Sequence, residues 1–313
     1  MAIIRRYVYR GEEGERIPDE ATHITVGDGV TFVRADAFYE HENIVEVICH
    51  DKVKKIKEYA FAHCPNLRRV VMPGVKVVER EAFSYCEALM SVECGKLEVI
   101  KEWAFDGCFS LSSIDLPSVR IVEEQAFNQC HGLTNVKFSS KLQRVDTMAF
   151  YDCPSLKRIT IPLKDNLITS DDVFSWCKKL KHVDLVEGEL HETIAALHLE
   201  EWRNDMNATV RSINHFIPYV HAGGGYYGEG EKARAIQTWI RSVLQKIIRY
   251  QEEHESLLLE DGDAATTLQL ALPRDIVVKN VLPFLALPPH TFDIGEDGSD
   301  SGGEEEDDDV SDW

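Results

Sequence analysis

Eight cysteines are the side chains in this 313-residue chain best suited to chemistry, as nucleophiles, metal ligands or disulfide partners. Their spacing argues against all three roles. Cys64, Cys86, Cys108, Cys130, Cys153 and Cys177 each follow a phenylalanine by three residues, and Cys49 and Cys94 share a second repeated position. There is no C-x-x-C pair. Metal ligands must converge to within ~2.3 Å of one ion, whereas residues at one position of a repeat form a line. The pattern predicts small, buried, reduced thiols.

Other candidates lack the setting their chemistry needs. Gly223-x-Gly225-x-x-Gly228 matches the dinucleotide-binding glycine pattern but follows a helical pattern instead of a strand, so a loop is expected. His191 and His198 sit seven residues apart, about 10.5 Å along a helix, too far for one metal. Trp239 to Arg249 is a basic amphipathic segment of a kind that suits calmodulin or an anionic membrane. Its apolar face is needed for packing, however, and Glu252, Glu253 and Glu255 follow at once. Asn207-Ala-Thr209 is a glycosylation sequon, expected to be silent without secretion. No nucleophile with a base, paired carboxylates or phosphate loop has supporting context. The chain is therefore read as non-enzymatic, with no cofactor and no metal.

The cysteines instead point to what positions them. Phe38, Phe61, Phe83, Phe105, Phe127, Phe150 and Phe174 recur every 22 to 24 residues. Around them an apolar frame repeats: Ile44, Leu67, Leu89, Leu111, Leu133, Leu156 and Leu180, then Val47, Val70, Val92, Ile114, Val136, Ile159 and Val183, then Cys49, Met72, Cys94, Leu116, Phe138, Ile161 and Leu185. A fixed period near 22 residues is the signature of a solenoid. After each leucine-type residue the pattern alternates with period two, as a strand does, so Val70 and Met72 face in while Arg69 and Val71 face out. A second short extended run, such as Leu97 to Ile100, leads to a helical or tight turn carrying the Ala-Phe pair.

This L-x-x-V-x-L frame, with the turns at Met72-Pro73, Leu116-Pro117 and Ile161-Pro162 and the V-x-x-V…AF…C run after them, resembles the BspA-like class of leucine-rich repeats over residues 17–188. The resemblance implies a solenoid whose usual work is protein–protein contact, with no shared catalytic residues. It also implies a protist or diatom-type member, because similar helical tails follow the repeats in those groups.

The formal net charge of −20 disfavours phosphate backbones, so no nucleic-acid partner is expected. Eleven acidic residues lie between Asp293 and Trp313 without a Lys or Arg. The N-terminus has no apolar run of signal-peptide type, and no stretch reaches ~18 apolar residues, so no membrane partner is expected and a cytoplasmic or nuclear location is read. Leu190 to Phe216 and Ile236 to Tyr250 carry apolar residues at helical spacing around a glycine-rich connection.

The expected fold class is α+β: a leucine-rich-repeat solenoid of about seven 22–24-residue coils with parallel strand stacking, followed by a C-terminal α-helical hairpin. The expected divisions are a cap over 1–23, the solenoid over 24–188, the antiparallel hairpin closing its end over 189–260, short helices over 261–292 and a disordered acidic tail over 293–313. The functional reading is an interaction scaffold binding a protein partner through the outward strand row. The residues expected to carry it are Arg69, Glu93, Asp115, Lys137, Arg158 and His182, with a basic spot at Lys137 and Arg158 for an acidic partner. A second reading takes Leu272 to Leu285, similar to the opening helix of an F-box, as the hook of a ubiquitin-ligase substrate adaptor. An enzyme of unknown class comes third.

Overall fold

The structure is a computed structural model and describes residues 4–186, 230, 232–245 and 291–293. The chain opens with β1 (Arg6–Tyr9) and then winds in coils, most of which add one strand to each of two rows. These are β2 (His23–Val26) with β3 (Phe32–Val33), β4 (Glu46–Ile48) with β5 (Lys55–Ile56), and β6 (Arg69–Val71) with β7 (Val77–Val78). There follow β8 (Ser91–Glu93) with β9 (Val99–Ile100), β10 (Ser113–Leu116) with β11 (Ile121–Val122), and β12 (Asn135–Phe138) with β13 (Arg144–Val145). β14 (Arg158–Ile161) and β15 (His182–Leu185) extend the first row. Where a further strand of the second row would lie, Ile168 makes a single bridge to Val145.

Strands of successive coils pair in parallel, in the register that the sequence columns require: Val47 faces Val70, Val70 faces Val92, and Val136 faces Ile159. That register follows from burial, because a one-residue slip would turn every inward side chain outward. Val70, Met72, Leu116, Val136 and Ile159 are at most 1% exposed, whereas Arg69 and Val71 on the opposite face are half-buried. One close approach needs glycine: a Cβ on Gly74 would stand 1.9 Å from the carbonyl oxygen of Asp51 on the preceding coil. The first row is not one continuous sheet. It forms β1-β2-β4-β6-β8 and a second group beginning β10-β12-β14-β15, while the other row runs unbroken from β3 to β13.

The phenylalanine column is a stack of rings. From Phe38 to Phe174 successive centroids lie 4.7 to 5.8 Å apart and the planes are within 15° of parallel. Beside it runs a ladder of thiols. Cys64, Cys86, Cys108, Cys130, Cys153 and Cys177 each direct Sγ at the phenylalanine carbonyl oxygen of the preceding coil, at 3.0 to 3.3 Å. Cysteine suits this column because it fills a methyl-sized space and also supplies a weak donor to a buried acceptor. All eight cysteines are free and buried.

The Ala-Phe segment is a tight turn instead of a helix in all but the last coil. Residues two before and two after the phenylalanine adopt positive φ: Asp36 and Glu40, Tyr59 and His63, Glu81 and Tyr85, Trp103 and Gly107, Gln125 and Gln129, Met148 and Asp152. In this turn alternate N–H groups bond within their own coil, as Ala82 N does to Glu79 O and Ser84 N to Glu81 O, while the others point to the next coil. Those donors meet the next coil: Glu81 N donates to Glu102 O at 3.0 Å, Phe83 N to Ala104 O at 2.8 Å and Tyr85 N to Asp106 O at 2.7 Å. The inter-coil bonds satisfy backbone groups that would otherwise be buried unpaired, which offsets the cost of about 1 kcal/mol or more for a non-glycine residue in this region. In the last coil the segment becomes a 3-10 turn over Asp171–Phe174, with Ser170 accepting from Asp172 N.

Both ends of the stack are covered. Tyr9 lies 5.1 Å from Phe38 at the first end, and β1 continues the first row in parallel with β2. At the other end a helix, α1 (residues 232–245), buries Ala233, Ile236, Trp239, Ile240 and Val243. Lys232 Nζ donates to the carbonyl oxygens of Cys177, Lys178 and Leu180 at 2.8 to 3.2 Å, and Arg234 pairs with Asp171 at 2.8 Å. The expected closure of the solenoid by a helix therefore holds for this segment. The rest of the expected hairpin lies outside the described residues, as do Gly223, Gly225, Gly228, His191, His198 and 272–285. Across the expected boundary between the short C-terminal helices and the tail, Thr291–Asp293 is a strand, β16, antiparallel to β15, with His182 opposite Asp293.

Candidate protein-binding surface

The six residues expected to form the binding row all lie on the first strand row with outward positions. They do not share one sheet. Arg69 and Glu93 belong to the group ending at β8, whereas Asp115, Lys137, Arg158 and His182 belong to the group beginning at β10. Arg69 is held between two carboxylates, Nη1 at 2.6 Å from Glu46 and Nη2 at 2.7 Å from Glu93. Arg158 Nη1 lies 2.5 Å from Asp184. Asp115 and Lys137 are opposite one another in the register of β10 and β12. The expected basic spot is thus partly neutralised by the strand beside it: these cations ladder across coils with acidic partners. Exposed pairs of this kind contribute about 0–1 kcal/mol each and leave little uncompensated charge to recruit a partner. The second row is built likewise, with Lys76–Glu98 at 2.6 Å, Lys101–Glu123 at 3.1 Å and Arg144–Asp146 at 2.9 Å.

The turn side of the array differs. The position after four of the seven phenylalanines carries a buried polar group, Ser84, Asp106, Asn128 or Ser175, at 1 to 6% exposure. Asn128 Nδ2 donates to Asp106 Oδ1 at 2.8 Å, and Asn128 Oδ1 has no hydrogen-bond partner among the described residues. Burial pushes the Asp106 carboxyl up to about 6 and the negative charge of Glu81 adds to this, against the opposing help of Asn128, the Gly107 N–H and His63. The Asp106 charge in turn raises Tyr85.

Above these groups runs a surface row of rings. Tyr39 meets His63 edge-on at 5.7 Å, His63 stacks on Tyr85 at 5.1 Å, Tyr85 meets Phe109 edge-on at 6.5 Å, and Phe109 stacks on His131 at 4.9 Å. The Tyr85 ring lies over Gly107, where a Cβ would approach it to 2.9 Å, and φ there is +65°. The sequence reading missed this row because its rings come from different positions of the repeat. The available signal was Asp106, a carboxylate where the two preceding coils place Ala62 and Ser84.

The thiols offer no reactivity. Burial pushes Cys49, Cys64 and Cys94 up to about 12 and holds Cys86 and Cys108 well above the ordinary thiol value. Among the described residues no three His, Cys, Asp or Glu side chains are grouped to hold a metal ion, and no helix is long and apolar enough to cross a membrane.

Parallel coils of this length, stacked on ring and thiol columns, define a leucine-rich-repeat solenoid. More particularly, the chain belongs to the BspA type leucine-rich-repeat family, whose model matches six copies over residues 19–119 and 98–196. No curated protein matches the chain. Among solved structures it is similar to the T. pallidum leucine-rich-repeat protein TpLRR, at 28% identity and a TM-score of 0.46, covering 51% of this chain and 78% of that one. It is similar also to a leucine-rich repeat protein from Bacteroides ovatus, at 24% identity and a TM-score of 0.37, covering 53% of this chain and 55% of that one. The pneumococcal vaccine antigen PcpA matches at 15% identity and a TM-score of 0.30, covering 59% of this chain and 67% of that one.

Proposed function

We propose that this protein is a non-enzymatic scaffold that binds a protein partner through the outer surface of its repeats. Leucine-rich-repeat proteins generally act as protein-interaction or surface scaffolds. The observation that carries the reading here is the division between columns. Inward positions hold to Phe, Cys, Leu and Val from coil to coil, while outward positions of the same strands change freely among Glu, Arg, Ser, Asn and His. A core that fixes shape beneath a surface that varies is how repeat proteins build recognition faces.

The finer reading places the protein in the cytoplasm or nucleus, as a protist-type member of its family. Eight cysteines that are all free support a reducing compartment. The strand row with Arg69, Glu93, Asp115, Lys137, Arg158 and His182 is one available face. Affinity capture with the full chain tests both statements. The wild type is expected to retain a stoichiometric protein partner, and Lys137→Glu/Arg158→Glu, compared at unchanged far-ultraviolet circular dichroism, decides whether the strand row is the face that holds it. Equal retention by the variant removes the strand row as the binding face. Retention of no partner by the wild type refutes the scaffold.

A further inference from the structure

The charges of the repeat array are segregated. Its seven turns, 35–42, 58–65, 80–87, 102–109, 124–131, 147–154 and 171–178, contain twelve acidic residues and two basic ones, Arg80 and Lys178. The remainder of residues 4–186 carries sixteen acidic and twenty-three basic residues. An acidic protein thus has repeats whose turn ridge is strongly negative while their other faces are net positive.

The ridge acids also differ from the rest in their partners. On or beside the strands Glu46, Glu79, Glu93, Glu98, Glu123, Asp146 and Asp184 pair with a Lys or Arg, Asp115 on β10 being the exception among the described residues. On the ridge, Arg80 is taken by Glu81 and Asp171 by Arg234, and Asp152 meets His131 at 3.3 Å. Asp36, Glu40, Glu42, Glu58, Glu87, Glu102, Glu124 and Asp172 have no ion pair among the described residues. Like charges gathered at this density repel one another, so a ridge with only two cations against twelve acids is electrostatically unsatisfied until a cation arrives from outside.

Two further observations point to what that cation is. The first is the row of rings along the same ridge, with Tyr39, Tyr85 and Trp176 each more than a third exposed and His63 and His131 on the surface. Lys178 Nζ already lies 5.4 Å from the Trp176 ring centroid, which shows the contact available there. Aromatic rings and carboxylates together suit ammonium and guanidinium groups, which are attracted to ring faces within about 6 Å and donate to carboxylates. The second is Asn128, 6% exposed, whose Oδ1, beside the Asp106 carboxylate, is buried without a donor among the described residues. A buried acceptor left unpaired costs about 1–3 kcal/mol, and a ligand bringing N–H donors would relieve it.

We propose that the acidic, aromatic turn ridge centred on Tyr85, Asp106, Phe109 and Asn128 is a docking site for a Lys/Arg-rich polypeptide segment. The site deepens the scaffold reading and rests on it, moving the recognition face from the strand row to the turns. Charge excludes the chain's own acidic residues beyond Asp293 as the occupant, and it excludes nucleic acid and anionic membranes. A polypeptide fits better than a small cation because the carboxylates without an ion pair extend over six of the seven turns, from Asp36 to Asp172.

The test is fluorescence anisotropy of a labelled peptide of alternating arginine and serine, titrated with the full chain. Affinity is expected to fall with added salt. Tyr85→Ala/Phe109→Ala, which changes no charge, is expected to weaken binding about tenfold with an unchanged melting profile. Glu102→Gln/Glu124→Gln should also weaken it. Lys137→Glu/Arg158→Glu on the strand row and Asp307→Asn/Asp308→Asn/Asp309→Asn near the C-terminus should leave it unchanged. No binding at low salt overturns the proposal, and so does affinity that follows the C-terminal charges while ignoring Tyr85 and Phe109. Displacement by spermine as effective per charge as by unlabelled peptide overturns the polypeptide in favour of a small polyamine. If the peptide fails while affinity capture still yields a partner, the scaffold stands and this site falls.

Discussion

Replacing Asp106 by Asn should stabilise the protein, and by an amount that depends on pH. Asp106 is 3% exposed and its only side-chain donor is Asn128 at 2.8 Å. Glu81 faces it with a like charge, His63 offers some opposing help, and Tyr85 carries no charge at neutral pH. Burial lifts the carboxyl from 3.8 to about 6. Between those two values the native state binds a proton that the unfolded chain has released, so the Asp106 contribution to wild-type stability falls as pH rises through the window. Above it the ionised carboxylate costs roughly 3 kcal/mol, at about 1.4 kcal/mol per unit, and incomplete desolvation reduces this to about 2 kcal/mol. The Asn side chain keeps the shape, can still bond to Asn128 and carries no charge. Urea denaturation of both proteins from pH 4 to 8 should therefore show the variant about 2 kcal/mol more stable at pH 7.5, the gap closing below about pH 4. The difference between the two proteins removes the contribution of every other carboxylate. A variant less stable at pH 7.5, or a gap independent of pH, would show that Asp106 is solvated or has a donor unaccounted for, and the reasoning fails.

Two further perturbations address the core. Phe105→Ala removes a fully buried ring stacked at 5.3 Å on both Phe83 and Phe127, which should cost about 3–5 kcal/mol and split unfolding into two steps, because coils depend on their neighbours. A loss below about 1 kcal/mol in calorimetry would mean the column is not packed as described. The eight thiols should react slowly with a thiol reagent in the native protein at pH 8, since burial holds Cys49, Cys64 and Cys94 up at about 12, and all eight should react once denatured without reductant. Fewer than eight would reveal disulfides and refute both the free-thiol state and the reducing compartment.

What the sequence made legible is what burial restricts. The Phe, Cys, Leu and Val columns tolerate few residue types, so their period survives and gives the coil count, the strand register and the parallel pairing. The turn geometry was hidden, because its left-handed positions are filled by Glu81, Gln125, Met148 and Asp152 as readily as by Gly107. Backbone bonds between coils hold those positions, and backbone bonds leave no residue preference to read. The thiol ladder was hidden for a related reason: Cys108 reads as a small hydrophobe, and the donor role appears only when the Phe83 carbonyl of the preceding coil is set beside it. For the candidate site, residue types were visible and pairing was not. Arg69 and Arg158 read as a recruiting surface in one dimension, yet Glu93 lies 24 residues from Arg69 and Asp184 lies 26 from Arg158, where one coil of winding makes each pair adjacent.

The same winding explains why the turn ridge stands out as the recognition face. Any charge on a strand row is flanked by the equivalent position one coil away, so an acidic residue in one coil and a basic one in the next cancel, as Glu46, Arg69 and Glu93 do. On the ridge acidic residues outnumber basic ones twelve to two, so stacking, as at Glu102 and Glu124 in successive coils, gathers negative charge with few cations to cancel it. That arrangement lowers the stability of the free protein, most sharply at Asp106, where an uncharged side chain of the same shape would fit. A residue that costs stability at a fixed place in an otherwise uniform core is expected where binding recovers the cost. Asp106→Asn should thus move two measurements in opposite directions, raising stability at pH 7.5 and lowering affinity for the arginine peptide. If stability rises while affinity holds, Asp106 has no part in the site, and recognition along the ridge would rest on its rings and exposed carboxylates.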